Sequence, residues 1–174
     1  AQMERFGVTF TEHGGGLFAL TPAAGPGPEA VTVSPDWSQA AVMLCVNAMG
    51  GSVTLTGMRA PGKDGDPLQG DSRVVELLKE MGLRVRNRPE GLWAGCPSRA
   101  GLTPLTVDCE NIPDLAPILA LTCTQARGES VLTGVERLRV KECDRLAATQ
   151  ELLSRLGAKV ETGDDGNTLR VLGP

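Results

Sequence analysis

A segment of ten residues, Glu136 to Arg145, carries four cationic and three acidic side chains. It lies between a β-like run at 130–135 and an amphipathic helix that is predicted to begin near Asp144. A junction of this kind offers free backbone N–H groups and the positive end of a helix dipole, and both attract anions. The segment is therefore a candidate site for phosphate or another small anion, the alternative being a charged turn that faces solvent.

Three side chains of this segment could act on a bound anion. Lys141 supplies a point charge, and Arg145 can hold a carboxylate or a phosphate through two parallel hydrogen bonds. Glu142 stands between these cations, which places a carboxylate where it could move a proton. The residue types thus predict anion binding combined with acid–base chemistry.

The chain repeats itself, and a repeat of this size dictates the architecture. We predict the tail of one repeat unit at 1–33, a second unit at 34–107 and a third unit at 108–174. The matching features are Pro35-Asp36 with Pro113-Asp114, Gly50 with Gly128, 52–57 with 130–134, 81–85 with 156–160, and the equally spaced glycines Gly7, Gly82 and Gly157.

Each unit is predicted to contain two kinds of helix together with short strands. The helices at 36–49 and 114–126 are apolar on every face, so we expect them to be buried on all sides. The helix after Asp144 carries one apolar stripe and should cover the core with one face. Strands at 159–162 and 168–172 flank a hairpin turn. The predicted fold class is α/β, with repeated βαβαββ units, buried apolar helices and outer mixed sheets.

Composition limits the possible functions. The net charge of −4 argues against bulk binding of nucleic acid. The sequence contains no run of 18 apolar residues and no signal peptide, so we expect no membrane contact and a cytoplasmic location. His13 is the only histidine, so neither a His/Cys metal site nor a Ser-His-Asp triad is predicted. The cysteines lack a C-x-x-C pair and are typical of reduced thiols: Cys45, Cys96, Cys109, Cys123 and Cys143.

Motifs along the whole chain point to a known family. Lys141–Arg145 follows Asn111–Asp114, and both come after Asp36–Ala40 and Gln69–Asp71 in the sequence. With these motifs in this order, the chain resembles the 5-enolpyruvylshikimate-3-phosphate synthase family, also called 3-phosphoshikimate 1-carboxyvinyltransferase, over essentially its whole length. The family enzyme is much longer and has two lobes of three repeated units each. The resemblance implies one partial lobe, 1–174, from the C-terminal half, with the family's α/β prism fold.

The resemblance also implies a reaction. The family joins shikimate 3-phosphate to phosphoenolpyruvate and releases phosphate, a step of the shikimate pathway that leads to aromatic amino acids. The implied mechanism is addition and elimination through a tetrahedral intermediate, and such chemistry needs carboxylates and cations but no cofactor. Because cations and motifs of the other lobe are absent, the chain alone is expected to be inactive and to need the remainder of the same enzyme as its partner.

Site residues are carried over from the family motif by position. Asp114 resembles the aspartate that binds the shikimate hydroxyl and serves as its base, and Glu142 resembles the glutamate that shuttles a proton at the methylene carbon. Lys141 resembles a ligand of the shikimate phosphate, and Arg145 resembles a ligand of phosphoenolpyruvate. Arg137 occupies a place where some members have an asparagine that contacts the phosphate, so it is carried over only weakly.

Several alternatives stand beside these assignments. Asp114 could merely cap its helix, as Asp36 is expected to do at the matching position, and Asp144 and Arg139 are expected to support the helix start and the loop. Cys143 departs from the small hydroxyl residue that the family more often has. Other functions remain open: the sister enzyme UDP-N-acetylglucosamine 1-carboxyvinyltransferase, against which the Lys-Glu-x-Asp-Arg element argues, and a non-catalytic anion-binding module of the same fold.

Overall fold

The computed structural model describes residues 2–62, 69–95 and 101–174. Cys96 lies outside the described residues. The chain divides into two compact units, Ala1–Ser34 and Pro35–Pro174. The second unit contains the charged segment, so its architecture positions the candidate site.

Helices and strands alternate along the described part of the chain. Three 3-10 turns, Gly70–Arg73, Pro113–Leu115 and Glu136–Val140, complete the regular structure of the described residues. The elements are α1 (Gln2–Arg5), β1 (Thr9–Glu12), β2 (Phe18–Thr21), α2 (Trp37–Ala48), β3 (Thr54–Thr56), α3 (Val74–Glu80), β4 (Arg84–Arg88), β5 (Gly91–Gly95), β6 (Thr106–Asp108), α4 (Ala116–Cys123), β7 (Glu129–Thr133), α5 (Arg145–Arg155), β8 (Lys159–Thr162) and β9 (Thr168–Leu172).

The first unit is a short helix followed by a β-hairpin. Strands β1 and β2 pair antiparallel, with Glu12 opposite Phe18, around a turn that contains Gly14, Gly15 and Gly16. The rings of Phe10 and Phe18 meet edge to face, with their centroids 6.1 Å apart. Both strands are exposed along their whole length, so the first unit has little core of its own.

Two sheets form the outer layer of the second unit. One has the order β3-β5-β4 and is antiparallel throughout. The other has the order β6-β7-β9-β8, and its β6–β7 pair is parallel because α4 crosses between those strands. Elements β6, α4, β7, α5, β8 and β9 follow one another as βαβαββ, and the α/β fold class is confirmed. The mixed character that we predicted for both sheets is found only in the second, since no parallel strand joins the first among the described residues.

Helices α2 and α4 lie against each other beneath these sheets. Helix α2 also packs on β5, and α4 packs on β7, β9 and α5. Leu44 and Leu119 are fully buried, as expected for helices that stack on a common core. The expectation of burial on every face was wrong for α2, because Val42 is 37% and Met43 45% exposed. The packing partners of α2 cover its other faces and leave these two side chains at the surface.

Helix α4 is shorter than the predicted helix at 114–126. Residues Pro113–Leu115 form a 3-10 turn, and the α-helix begins only at Ala116. Pro117 explains this start, because it has no N–H to donate and its ring would clash with the carbonyl of Pro113, four residues earlier. Asp114 therefore lies on a tight turn ahead of the helix rather than within it.

Glycines at the repeat interval end three helices in the same way. Gly7, Gly82 and Gly157 have φ angles of 72°, 95° and 85°, which place them in the left-handed region that favours glycine. Each donates its N–H to a carbonyl three residues earlier. The regular spacing of these glycines therefore has a structural cause, while the exact unit boundaries at 33 and 107 stay a prediction.

The described cysteines are free thiols of two kinds. Cys45, Cys109 and Cys123 are buried, whereas Cys143 is exposed in the charged segment. Burial raises the pKa of Cys45 and Cys123 to about 11 and that of Cys109 to about 12, so these three stay protonated and unreactive at neutral pH. Among the described helices, none has the length and apolar character needed to cross a membrane.

Helix α4 should contribute strongly to the stability of the second unit. Leu119→Ala removes a fully buried side chain and should lower the free energy of unfolding by about 2–5 kcal/mol, because it leaves a cavity beside α2. Leu156→Ala, at a side chain that is 66% exposed, is the control and should change it by less than about 0.5 kcal/mol. Urea unfolding followed by circular dichroism measures both, and equal losses would contradict the buried position of α4.

Candidate active site

Four of the predicted site residues meet in one ion-pair cluster. The Asp114 Oδ1 atom accepts hydrogen bonds from Lys141 Nζ at 3.2 Å and from Arg145 Nη1 at 2.9 Å. Arg145 turns the rest of its guanidinium to Glu142, with Nε–Oε1 at 2.7 Å and Nη2–Oε2 at 2.9 Å. The structure thus joins Asp114 to the charged segment that follows it in the chain, and the family resemblance assigns all four residues to one site.

Local structure holds each member of this cluster in place. The turn that carries Asp114 is anchored by Leu115, which is fully buried. Lys141 follows the 3-10 turn Glu136–Val140, where Leu138 is 1% exposed and ties the turn to the core. Arg145 is the first residue of α5. A buried leucine thus fixes the turn on each side of the cluster, while the charged groups remain partly exposed.

The start of α5 is stabilised as the sequence predicted. The Asp144 Oδ1 atom accepts a hydrogen bond from the Ala147 backbone N–H at 2.9 Å, which caps the helix. Arg139 forms an ion pair with the other oxygen of Asp144, at 3.4 Å. Asp144 and Arg139 therefore have structural roles. They hold the start of α5, where Arg145 is the first residue.

Asp36 and Asp114 differ although they occupy matching places in the repeat. Asp36 caps α2 by accepting a hydrogen bond from the Gln39 N–H at 3.0 Å. In the described part of the chain, the hydrogen bonds to the Asp114 carboxylate come instead from Lys141 and Arg145. The capping alternative is therefore wrong for Asp114, and its carboxylate is directed to the charged segment.

The cluster is electrically balanced, since two carboxylates face two cations. The hydrogen bonds from Arg145 lower the pKa of Glu142, and its own backbone N–H adds to this effect. The same pairing with Glu142 raises the pKa of Arg145. In this arrangement Glu142 is ionised, and its carboxylate occupies the fork of Arg145 where another anion could bind.

Arg137 lies apart from these ion pairs. Its Nη1 atom donates to the Glu110 carbonyl oxygen at 3.4 Å. It lines a separate polar cleft of about 280 Å³, together with Asp108, Thr133 and Glu136. The weak expectation that Arg137 contacts a substrate phosphate gains no support from this position.

An open apolar groove of about 360 Å³ borders the cluster. Asp114 and Arg145 form its polar edge, and its apolar wall comes from α2, α4 and α5. The residues that line it are Val42, Asp114, Pro117, Ile118, Arg145, Ala148, Thr149 and Leu152. A carboxylate and a guanidinium at the rim of a groove suit a ligand that presents both a hydrogen-bond donor and an anionic group.

Sequence reasoning missed one carboxylate near this site. The Asp71 Oδ2 atom accepts a hydrogen bond from the Ser38 hydroxyl at 2.5 Å. The motif Gln69–Asp71 had been noted without a role, and it was the only signal in the sequence that could have identified Asp71.

The charge balance leads to a prediction for anion binding. Asp114→Asn removes one of the two carboxylates that neutralise Lys141 and Arg145, so it should strengthen the binding of inorganic phosphate roughly three- to tenfold. An NMR titration of the 174-residue chain, read at the amides of 141–146, measures the affinity. Asp164→Asn is the control, because it removes one negative charge at an exposed turn between β8 and β9. Equal affinity in all three proteins would mean that Asp114 does not restrain these cations.

The sequence of the chain matches one protein family along almost its whole length. The family model for EPSP synthase (3-phosphoshikimate 1-carboxyvinyltransferase) matches residues 1–172. The 3-phosphoshikimate 1-carboxyvinyltransferase of Aeropyrum pernix is 42% identical over 171 residues, and that of Nitrosomonas europaea is 37% identical over 166. These matches cover 98% and 95% of this chain, which spans 38% of the length of each relative.

Solved structures agree with the sequence relatives. An EPSP synthase from Acinetobacter baumannii matches with a TM-score of 0.70 and 26% identity, over 98% of this chain and 39% of that protein. The enolpyruvyl transferase NikO from Streptomyces tendae matches with a TM-score of 0.61 and 23% identity, over 99% of this chain and 38% of that protein, and supports the fold. The family model and the relatives lead to the same result: the chain belongs to the EPSP synthase family.

Proposed function

We propose that this chain supplies part of the active site for enolpyruvyl transfer from phosphoenolpyruvate to the 5-hydroxyl of shikimate 3-phosphate, with release of phosphate. The observation that carries the proposal is the position of Arg145, which binds Asp114 and Glu142 at once. Arg145 thus lies between two carboxylates. In the proposed reaction, Asp114 is the base for the hydroxyl group and Glu142 carries the proton to and from the carbon. Family membership supports the identity of the two substrates.

In the proposed addition step, Asp114 accepts the proton of the 5-hydroxyl, and the oxygen forms a bond to C2 of phosphoenolpyruvate. Protonated Glu142 delivers its proton to C3, so the methylene carbon becomes a methyl group. In the elimination step, Glu142 takes a proton back from the methyl group, and the C2–O bond to phosphate breaks. The leaving phosphate accepts the proton from Asp114, so Asp114 returns to its ionised form and Glu142 to the protonated form in which each began.

Substrate binding would prepare Glu142 for this work. In the described arrangement, Arg145 keeps the pKa of Glu142 low and the carboxylate ionised. An anionic group of phosphoenolpyruvate that takes the fork of Arg145 would displace Glu142, raise its pKa and allow it to carry a proton. The phosphate of shikimate 3-phosphate would in the same way replace Asp114 as the partner of Lys141, leaving Asp114 free to act as base.

The proposed reaction needs more protein than this chain. The chain spans 38% of the length of its relatives, and the cluster has no surplus cation for two anionic substrates. The remainder of the family length would supply those cations and close over the open groove. It would also cover Val42 and Met43, the exposed side chains of α2. We propose a cytoplasmic enzyme of aromatic amino acid biosynthesis with these two substrates.

Mutation of the two carboxylates tests the proposal in a polypeptide that carries this chain within the full family length. Glu142→Gln and Asp114→Asn should each lower kcat by about a hundredfold or more, as expected for lost acid–base groups. Phosphate release from shikimate 3-phosphate and phosphoenolpyruvate measures the rate. Arg155→Ala, at a surface ion pair with Glu151 on the same helix as Arg145, is the control and should leave kcat unchanged.

Other outcomes of the same assay would change the conclusion. Full activity in both variants would mean that other groups transfer the protons. Turnover with UDP-N-acetylglucosamine in place of shikimate 3-phosphate would favour the sister enzyme, and anion binding without any turnover would favour a non-catalytic module. The 174-residue chain alone should release no phosphate above background, because positioning by both parts of the site supplies much of the rate.

A further inference from the structure

The side chain of Gln69 forms two hydrogen bonds with the backbone at the start of helix α2. Its Oε1 atom accepts a hydrogen bond from the Trp37 backbone N–H at 2.9 Å. Its Nε2 atom donates to the Pro35 carbonyl oxygen at 2.7 Å. One amide group therefore binds the backbone on both sides of Asp36, at positions far earlier in the chain.

Asp71 adds a second link to the same helix turn. It lies in the 3-10 turn Gly70–Arg73, and its carboxylate accepts the hydroxyl hydrogen bond from Ser38. Gln69 and Asp71 together fix the turn to the first residues of α2, so the backbone of Gly70 between them has little freedom to move.

Gly70 faces the loop that leads to Asp114. A Cβ atom placed on Gly70 would lie 3.1 Å from the Asn111 carbonyl oxygen and 3.7 Å from Ile112 Cγ2. Ile112 is 2% exposed, so this side of the loop is held in the core. Arg73, at the end of the same turn, donates to the Asp108 carbonyl oxygen at 3.2 Å. The turn therefore contacts the backbone that precedes Asp114 at two places.

Charges of the candidate site act on the Asp71 carboxyl. Burial raises its pKa, and the hydrogen bond from Ser38 opposes that shift. The carboxylates of Asp114 and Asp36 raise the pKa of Asp71 further, whereas Lys141 lowers it. Asp71 thus interacts with a base and with a cation of the cluster.

We propose that Gln69–Asp71 is a positioning element for Asp114, in which Gln69 and Asp71 anchor the turn to α2 and the bare backbone of Gly70 sets the place of the loop before Asp114. This inference rests on the proposed function, because it assigns the segment to the base of that reaction. A Cβ atom at position 70 would lie tighter against the Asn111 carbonyl oxygen than most Cβ contacts, so any residue other than glycine requires the loop to shift. The alternative is that the segment only stabilises the start of α2 and has no effect on the turn that carries Asp114.

Gly70→Ala tests the mechanical part of the proposal in the 174-residue chain. The added Cβ should push the Asn111 carbonyl by a few tenths of an ångström and change the amide NMR shifts within 111–115, where every residue except Pro113 has an amide N–H. The matched control is Gly62→Ala, where a Cβ would meet no described atom within 4 Å, so those shifts should stay unchanged. If Gly70→Ala leaves the amides of 111–115 in place, the positioning role is refuted, whether or not the protein is an enzyme.

A double-mutant cycle in the polypeptide of full family length tests the catalytic part. Gly70→Ala should lower kcat about tenfold when Asp114 is present, because a small misplacement of a reacting group has a large effect on rate. In the Asp114→Asn background the same change should have almost no further effect, since the positioned group is gone. Gly62→Ala should have no effect in either background.

The outcomes separate this inference from the proposed function. Loss of rate by the same factor in both backgrounds would overturn the positioning role and leave the reaction intact. Absence of turnover in the unmutated protein would refute the proposed function, and the amide shifts at 111–115 would then decide the positioning claim alone.

Discussion

The arrangement of the site depends on one interaction, the simultaneous pairing of Arg145 with Asp114 and Glu142. Asp114 and Arg145 are 31 residues apart, so the fold has to bring two turns together before the pairing can exist. The pairs are partly exposed to water and therefore add little to stability. Their importance is electrostatic: the protein's own carboxylates neutralise these cations, so an added anion has to compete with Asp114 or Glu142 for them.

The core provides the rigidity that the proposed exchange of ion-pair partners requires. Leu115 and Leu138 anchor the turns on either side, and α2 and α4 pack together beneath them. Because the hydrophobic contacts hold the backbone, the charged side chains can change partners without any rearrangement of the fold. The turn Gly70–Arg73 belongs to this support, since it connects the start of α2 with the loop that carries Asp114.

Features with local causes could be predicted from the sequence. The caps at Asp36 and Asp144 and the strands β8 and β9 follow from nearby residues, and the structure confirms them. Contacts through space were harder, as the hydrogen bond between Asp71 and Ser38 shows: the two residues are 33 positions apart and no periodicity links them. The repeat itself misled in one case, because it predicted a helix that begins at Asp114, whereas Pro117 delays the start of the α-helix to Ala116.

The most direct test of this account is the pKa of Glu142, followed by carbon NMR of its carboxyl group in a polypeptide of full family length. The account predicts a pKa below the ordinary range in the free protein, because Arg145 holds the carboxylate. Addition of phosphoenolpyruvate, together with an analogue of shikimate 3-phosphate that lacks the 5-hydroxyl, should raise that pKa as the substrate takes over Arg145. A pKa that stays low when both ligands are bound would contradict the exchange of partners and, with it, the role of Glu142 as proton carrier.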